Sequence, residues 1–95
     1  MPPGAKVQIT RDAQEFVLHL DGERMGTLDY EVPETGVMRI DYVEVAPELR
    51  GSGLGRELVQ AAVDWARAGN LKIVPICGYA RAVITRDPLM RALLR

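Results

Sequence analysis

The chain has 95 residues, 47% hydrophobic and 26% charged, with 12 Lys and Arg against 13 Asp and Glu and a formal net charge of −1. That is the composition of a globular protein, with no basic surplus for nucleic acid or an anionic membrane surface. No apolar run approaches the ~20 residues of a membrane span, "MPPGAK" lacks the apolar stretch of a signal peptide, and the single cysteine, Cys77, cannot form an internal disulfide.

The expectation is therefore one domain over residues 1–95, with one modest core, in a reducing, cytoplasmic setting. The short "MPPGAK" is expected to fray. "KVQIT" (Lys6–Thr10) and "EFVLHL" (Glu15–Leu20) read as strands, with "RDAQ" as the turn between them. Asp21-Gly22 is a hairpin signal, and "ERMGTLDYEV" continues as the next strand. "PETG" (Pro33–Gly36) turns the chain into "VMRIDYVEV" (Val37–Val45). The second half changes period. Leu54, Leu58, Ala61, Ala62, Trp65 and Ala66 recur at helical spacing among Arg56, Glu57, Gln60, Asp64 and Arg67, and Gly69-Asn70 is a helix stop. Trp65 and the leucines around it are expected in the core. "LKIVPI" (Leu71–Ile76) reads as a short buried strand and "GYARAVITR" (Gly78–Arg86) as a second helix, broken by Asp87-Pro88. "LMRALLR" forms a final turn or two that either covers the core or meets a partner, which leaves the oligomeric state open. Antiparallel strands followed by helix, strand and helix predict an α+β domain with helices packed on the sheet.

Within "APELRGSGLGRELV", glycines at Gly51, Gly53 and Gly55 open the best helix in the chain, although glycine in a helix interior costs about 1 kcal/mol relative to alanine. What they provide is a strand-to-helix turn with uncovered N–H groups at the positive end of a helix dipole, an anion site suited to phosphate or pyrophosphate. Arg50 and Arg56 add positive charge. The alternative is a flexible loop with Ser52 as the helix N-cap. A P-loop needs Lys-Ser or Lys-Thr after its last glycine, and the dinucleotide fingerprint needs Gly-x-Gly-x-x-Gly; neither is present.

"RGSGLG" resembles the acyl-CoA motif of the GNAT superfamily of N-acetyltransferases, Arg/Gln-x-x-Gly-x-Gly/Ala, with Arg50, Gly53 and Gly55 in the defining places. From about Glu15 to Leu94 the chain is similar to the small GNAT-like enzymes of roughly a hundred residues. There "V-P-x-C-x-aromatic" follows the fifth strand, here "VPICGY" (Val74–Tyr79), and a His-Pro-x-aromatic motif comes later, here "RDPLM" (Arg86–Met90). The resemblance implies a GNAT-like fold in which acetyl-CoA, the co-substrate, lies between two splayed parallel strands, by position Val37–Val45 and Leu71–Ile76. It implies that Val45 bonds the pantetheine arm and that the backbone from Arg50 through Gly51, Ser52, Gly53, Leu54 and Gly55 to Arg56 holds the pyrophosphate. It implies direct attack by an amine, which needs a neutral amine, an oxyanion donor and a proton for the thiolate. No metal enters this chemistry.

Cys77 is a candidate nucleophile or proton donor, against a small core residue; Tyr79 either donates to the thiolate or packs its ring; Glu44 either deprotonates the amine through water or is an exposed strand carboxylate. Tyr42 stands where the small enzymes carry histidine, Asp87 replaces the later histidine, Met90 replaces an aromatic, and the tyrosine of larger relatives is missing near Val83-Ile84. The CoA-binding half of the pattern is intact and the catalytic half altered. His19 is expected to be a solvated strand residue. The implied partners are acetyl-CoA and a small amine or a protein amine. The readings are an acetyl-CoA-dependent N-acetyltransferase, a non-catalytic acyl-CoA-binding or sensing module, and a protein-interaction domain with a structural glycine loop.

Overall fold

In a computed structural model of the protein, period-two alternation in the first half folds into four antiparallel strands. These are β1 (Val7–Arg11), β2 (Glu15–Leu20), β3 (Glu23–Glu34) and β4 (Val37–Val45). The structure describes residues 4–95, so the expected fraying of "MPPGAK" lies outside the described residues for positions 1–3. A fifth strand, β5 (Lys72–Pro75), runs parallel to β4, and sheet order follows chain order, β1-β2-β3-β4-β5. The architecture is the expected α+β one.

Local chemistry explains the turns. Asp21 and Gly22 both take left-handed φ, 50° and 82°, the pairing whose twist matches a two-residue hairpin. Asp21 Oδ1 also accepts the Lys6 N–H at 2.8 Å, which ties the edge strand to the turn. The β3–β4 turn is tighter than "PETG" suggested. Pro33 and Glu34 remain in β3, Glu34 pairs with Val37, and only Thr35 and Gly36 lie outside the strands. Proline is accommodated because the ladder is irregular between Glu31 and Glu34, so its missing N–H leaves no regular bond unmade.

Helix α1 (Leu54–Ala68) lays Leu54, Leu58, Val59, Ala62, Val63 and Ala66 against Phe16, Leu18, Leu28, Tyr30, Met38, Ile40 and Ile73 of the sheet, all buried. The pairings Phe16↔Leu28 and Leu28↔Val43 put one sheet face against the helix; Glu15↔Asp29 and Val17↔Thr27 belong to the other. Helices α2 (Gly78–Arg86) and α3 (Pro88–Arg91) extend the same layer with Ala80, Ile84 and Met90.

Trp65 is half-buried at the rim of the core rather than inside it. Its ring centroid lies 5.3 Å from Tyr30, and the Arg11 guanidinium stands 4.7 Å over it. The side chain is large and faces the end of the sheet, where a cation can cover its outer face. His19 is also half-buried and meets Thr10 Oγ1 at 3.1 Å. The last residues close the free edge of β5: Ile73 N–H donates to Leu93 O at 2.8 Å, and Arg95 N–H to Ile73 O at 3.1 Å.

Candidate active site

The parallel ladder between β4 and β5 is short, from Val37↔Lys72 to Ile40↔Pro75. The Ile40 carbonyl then accepts two N–H groups, Ile76 at 2.9 Å and Cys77 at 3.2 Å, as β5 leaves the sheet to enter α2. β4 runs on to Val45. A register shift there pairs Asp29 with Tyr42 and Tyr30 with Ile40, so Asp41 is the extra residue of a bulge, which bends the strand. Beyond the bulge β4 has β3 on one side and, among the described residues, no strand on the other. Ala46 N–H donates to Met25 O at 2.8 Å, so alternation along the strand turns the N–H and C=O groups of Val43 and Val45 toward the open side.

A 3-10 turn, Pro47–Leu49, and extended Arg50 carry the chain from β4 to α1. Gly53 is the N-cap, at φ 89°, a left-handed conformation that strains any residue with a Cβ. That is why Gly53 takes the position expected for Ser52. The serine sits one residue earlier and its Oγ accepts the Leu54 N–H at 3.2 Å. Among the described residues, the N–H groups of Gly51, Gly53, Gly55 and Arg56 have no protein acceptor, and the ladder begins with Glu57 N–H to Gly53 O at 3.2 Å. These N–H groups carry the positive end of the helix dipole. Gly55 has a separate reason. A Cβ there would lie 2.8 Å from the Tyr79 hydroxyl, so the phenol from α2 reaches the first turn of α1 only because the side chain is absent.

The free edge of β4, the glycine turn and the phenol enclose a cavity of about 550 Å³, within the usual range of small-molecule sites. It is lined by Tyr42, Val43, Glu44, Val45, Leu49, Arg50, Gly51, Gly53, Gly55 and Tyr79. The side chains of four residues named from sequence do not line it. Leu54 is buried in the core, Ser52 turns back to the Leu54 N–H, and the Arg56 guanidinium pairs with Asp87 at 3.3 Å. Cys77 is the half-buried N-cap residue of α2, packed against the core. Val43 and Leu49 were missed. Strand alternation with Val45 could have found the first; nothing local marked the second. Among the described residues no group of three or more His, Cys, Asp or Glu could hold a metal ion.

Residues 15–93 match the GCN5-related N-acetyl-transferase family. The chain belongs to that family. As a GCN5-related N-acetyl-transferase family member it is similar to Protein NATD1 of Mus musculus, 28% identical over 91 residues that cover 95% of this chain and 83% of the relative. Its fold resembles the solution structure of a GCN5-like protein from Staphylococcus aureus, with a TM-score of 0.75 and 25% identity across 93% of this chain and 87% of that one. A Bacillus anthracis protein solved in complex with acetyl coenzyme A shares the fold at a TM-score of 0.59, with 22% identity across 70% of this chain and 39% of that one. The family's fold and an acetyltransferase's general architecture are thus those of this chain. Among the described residues no helix is long and apolar enough to cross a membrane.

Beside the β1–β2 turn, this N-acetyl-transferase family member carries an acidic hollow of about 410 Å³. Asp12, Glu15, Asp29, Glu31 and Asp41 line it with Gln14 and Tyr30. Partial burial raises the pKa of Asp29, Glu15 and Asp41 raise it further, and Arg24 opposes them. Glu15 lies directly across the ladder from Asp29, a like-charge pair that destabilises a sheet. The folded state therefore binds a proton at Asp29 more readily than the unfolded state, and the ionised carboxylate weakens folding above its raised pKa. Asp29→Asn is expected to stabilise the protein at pH 7 by about 0.2–1 kcal/mol. The gain should shrink as pH falls through that raised value, because Asp29 is then neutral when folded. Urea denaturation of both proteins at pH 7 and pH 4 measures this, and a variant less stable than wild type at pH 7 contradicts the assignment.

Proposed function

We propose that the protein is an acetyl-CoA-dependent N-acetyltransferase, built as one domain, that delivers an acetyl group to a primary amine, small or protein-borne. One observation carries the reading: the free edge of β4, the uncovered N–H groups at the start of α1, and the side chains of Tyr42, Glu44 and Tyr79 all face one cavity. The residues present fit CoA. The N–H groups of Gly51, Gly53 and Gly55 suit its pyrophosphate, Arg50 adds positive charge, and Val45 offers backbone groups to the pantetheine arm. When bound, acetyl-CoA supplies the acetyl group as an activated thioester.

The chain's own part is to position groups and hold protons. The exposed Glu44 carboxylate takes the proton of an ammonium acceptor, directly or through water, and leaves the neutral amine. The Tyr79 hydroxyl holds the proton that a departing thiolate needs, and Tyr42 orients the acceptor from the β4 side. Cys77, packed against the core, is structural in this reading. Tyr79→Phe is expected to lower kcat by roughly a hundredfold, the usual weight of a positioned acid, while Cys77→Ala leaves turnover within about threefold. A thiol-release assay reads both; inactivation by Cys77→Ala with an active Tyr79→Phe would reverse the assignment. A cytoplasmic location goes with this chemistry.

A second reading, a non-catalytic acyl-CoA-binding module, is favoured by Asp87. At the place where the small relatives carry a histidine, its carboxylate accepts the Leu89 and Met90 N–H groups at 2.9 and 3.3 Å and pairs with Arg56, so it is committed to structure. Calorimetric titration with acetyl-CoA and desulfo-CoA, followed by thiol release across a panel of amines and lysine peptides, separates the readings. Binding with thiol release supports the enzyme. Binding with silence across the panel supports the module, and no binding by the folded protein removes both.

A further inference from the structure

We infer that Asp87 holds the Arg56 side chain away from the phosphate cradle, and that a phosphate group of CoA takes Arg56 from Asp87 on binding; this rests on the CoA-binding reading above. Arg56 lies in the first turn of α1, and its backbone N–H belongs to the unpaired set that faces outward. Its side chain does not line the cavity. Nη2 instead lies 3.3 Å from Asp87 Oδ2, thirty-one positions further along the chain.

The pair is asymmetric. Asp87 is the N-cap of α3, its Oδ1 accepts two backbone N–H groups, and its side chain is only 23% exposed. The Arg56 side chain is 60% exposed and, among the described residues, makes no other hydrogen bond. Arginine is therefore the partner free to move. A single exposed contact of this length is weak in water, whereas a phosphate offers more charge and accepts a guanidinium through two parallel bonds. A rotation of the Arg56 side chain brings its charge to a helix start where phosphate already meets uncovered N–H groups. Asp87 opposes that rotation by competing for the guanidinium, and so sets the affinity for the phosphorylated end of the cofactor.

Asp87→Asn separates the charge from the cap, because asparagine caps a helix as well as aspartate does. The variant is expected to bind CoA about three- to fivefold more tightly than wild type at low salt, the strength of one exposed pair. The gain should fade at high salt, be absent for pantetheine, which has no phosphate, and disappear in Asp87→Asn with Arg56→Ala. Comparison of CoA with 3′-dephospho-CoA tells which phosphate Arg56 meets. In wild type, the Arg56 side-chain Nε–H resonance should shift on addition of CoA.

Thermal melting confirms that each variant folds, and Asp87→Ser, which also caps, replaces Asp87→Asn should the latter not fold. Equal CoA affinity in wild type and Asp87→Asn, with an unmoved Arg56 resonance, overturns this inference and leaves the CoA site standing. A folded wild-type protein that binds no CoA overturns both.

Discussion

Gly53→Val is expected to weaken CoA binding by roughly a hundredfold or more in a protein that still folds. The N-cap φ of 89° strains any residue with a Cβ by about 1–2 kcal/mol, and a β-branched one further. No heavy atom lies within 4 Å of the position a Cβ would take, so no clash propagates into the core. The turn relaxes toward negative φ, and the N–H groups of Gly51, Gly53 and Gly55 cease to converge. Two charge-assisted hydrogen bonds at about 1.5 kcal/mol each make up the expected loss. Calorimetric titration with CoA and thermal melting by circular dichroism measure the two halves of this expectation. Wild-type affinity in the variant would sink the anion-cradle argument.

The second large effect lies in the core. Leu58→Ala is expected to destabilise the fold by about 2–5 kcal/mol, the range for a fully buried leucine whose cavity does not collapse. Leu58 is 0% exposed, on the face of α1 that meets the sheet, with Val59 and Ala62 beside it. A chain of this size has about 5–14 kcal/mol in all, so the loss is a large share of its stability. The same helix aims the glycine turn at the cavity, so cofactor affinity should fall with stability. Urea denaturation should show a lower midpoint at unchanged slope. A loss below about 1 kcal/mol would mean that α1 does not pack on the sheet through this residue.

Much of this was legible in the chain before any contact was known. The apolar, β-prone run in "EFVLHL", the pattern of "VMRIDYVEV" and the helical spacing from Leu54 marked β2, β4 and α1, and Asp87-Pro88 marked the end of α2. The glycine turn was legible for the same reason, since each of these features depends on residues a few positions apart. The differences arose where a distant element intervened. Pro33 stays in a strand because β4 pairs beyond it, and Trp65 stops at the rim because Arg11 covers its outer face.

The cavity follows the same division. Sequence alone was enough for the backbone proposed to meet a phosphate, because positive φ and an uncovered N–H at a helix start are local properties of glycine and of the first turn. Tertiary structure decided which side chains join it. Tyr79 reaches the cavity because α2 docks against Gly55, and Arg56 leaves it because α3 begins with Asp87. Val43 and Val45 present free backbone because β5 turns away after Pro75. A side chain's partner is whatever non-local element packing brings within about 3 Å, and periodicity along the chain carries no record of it.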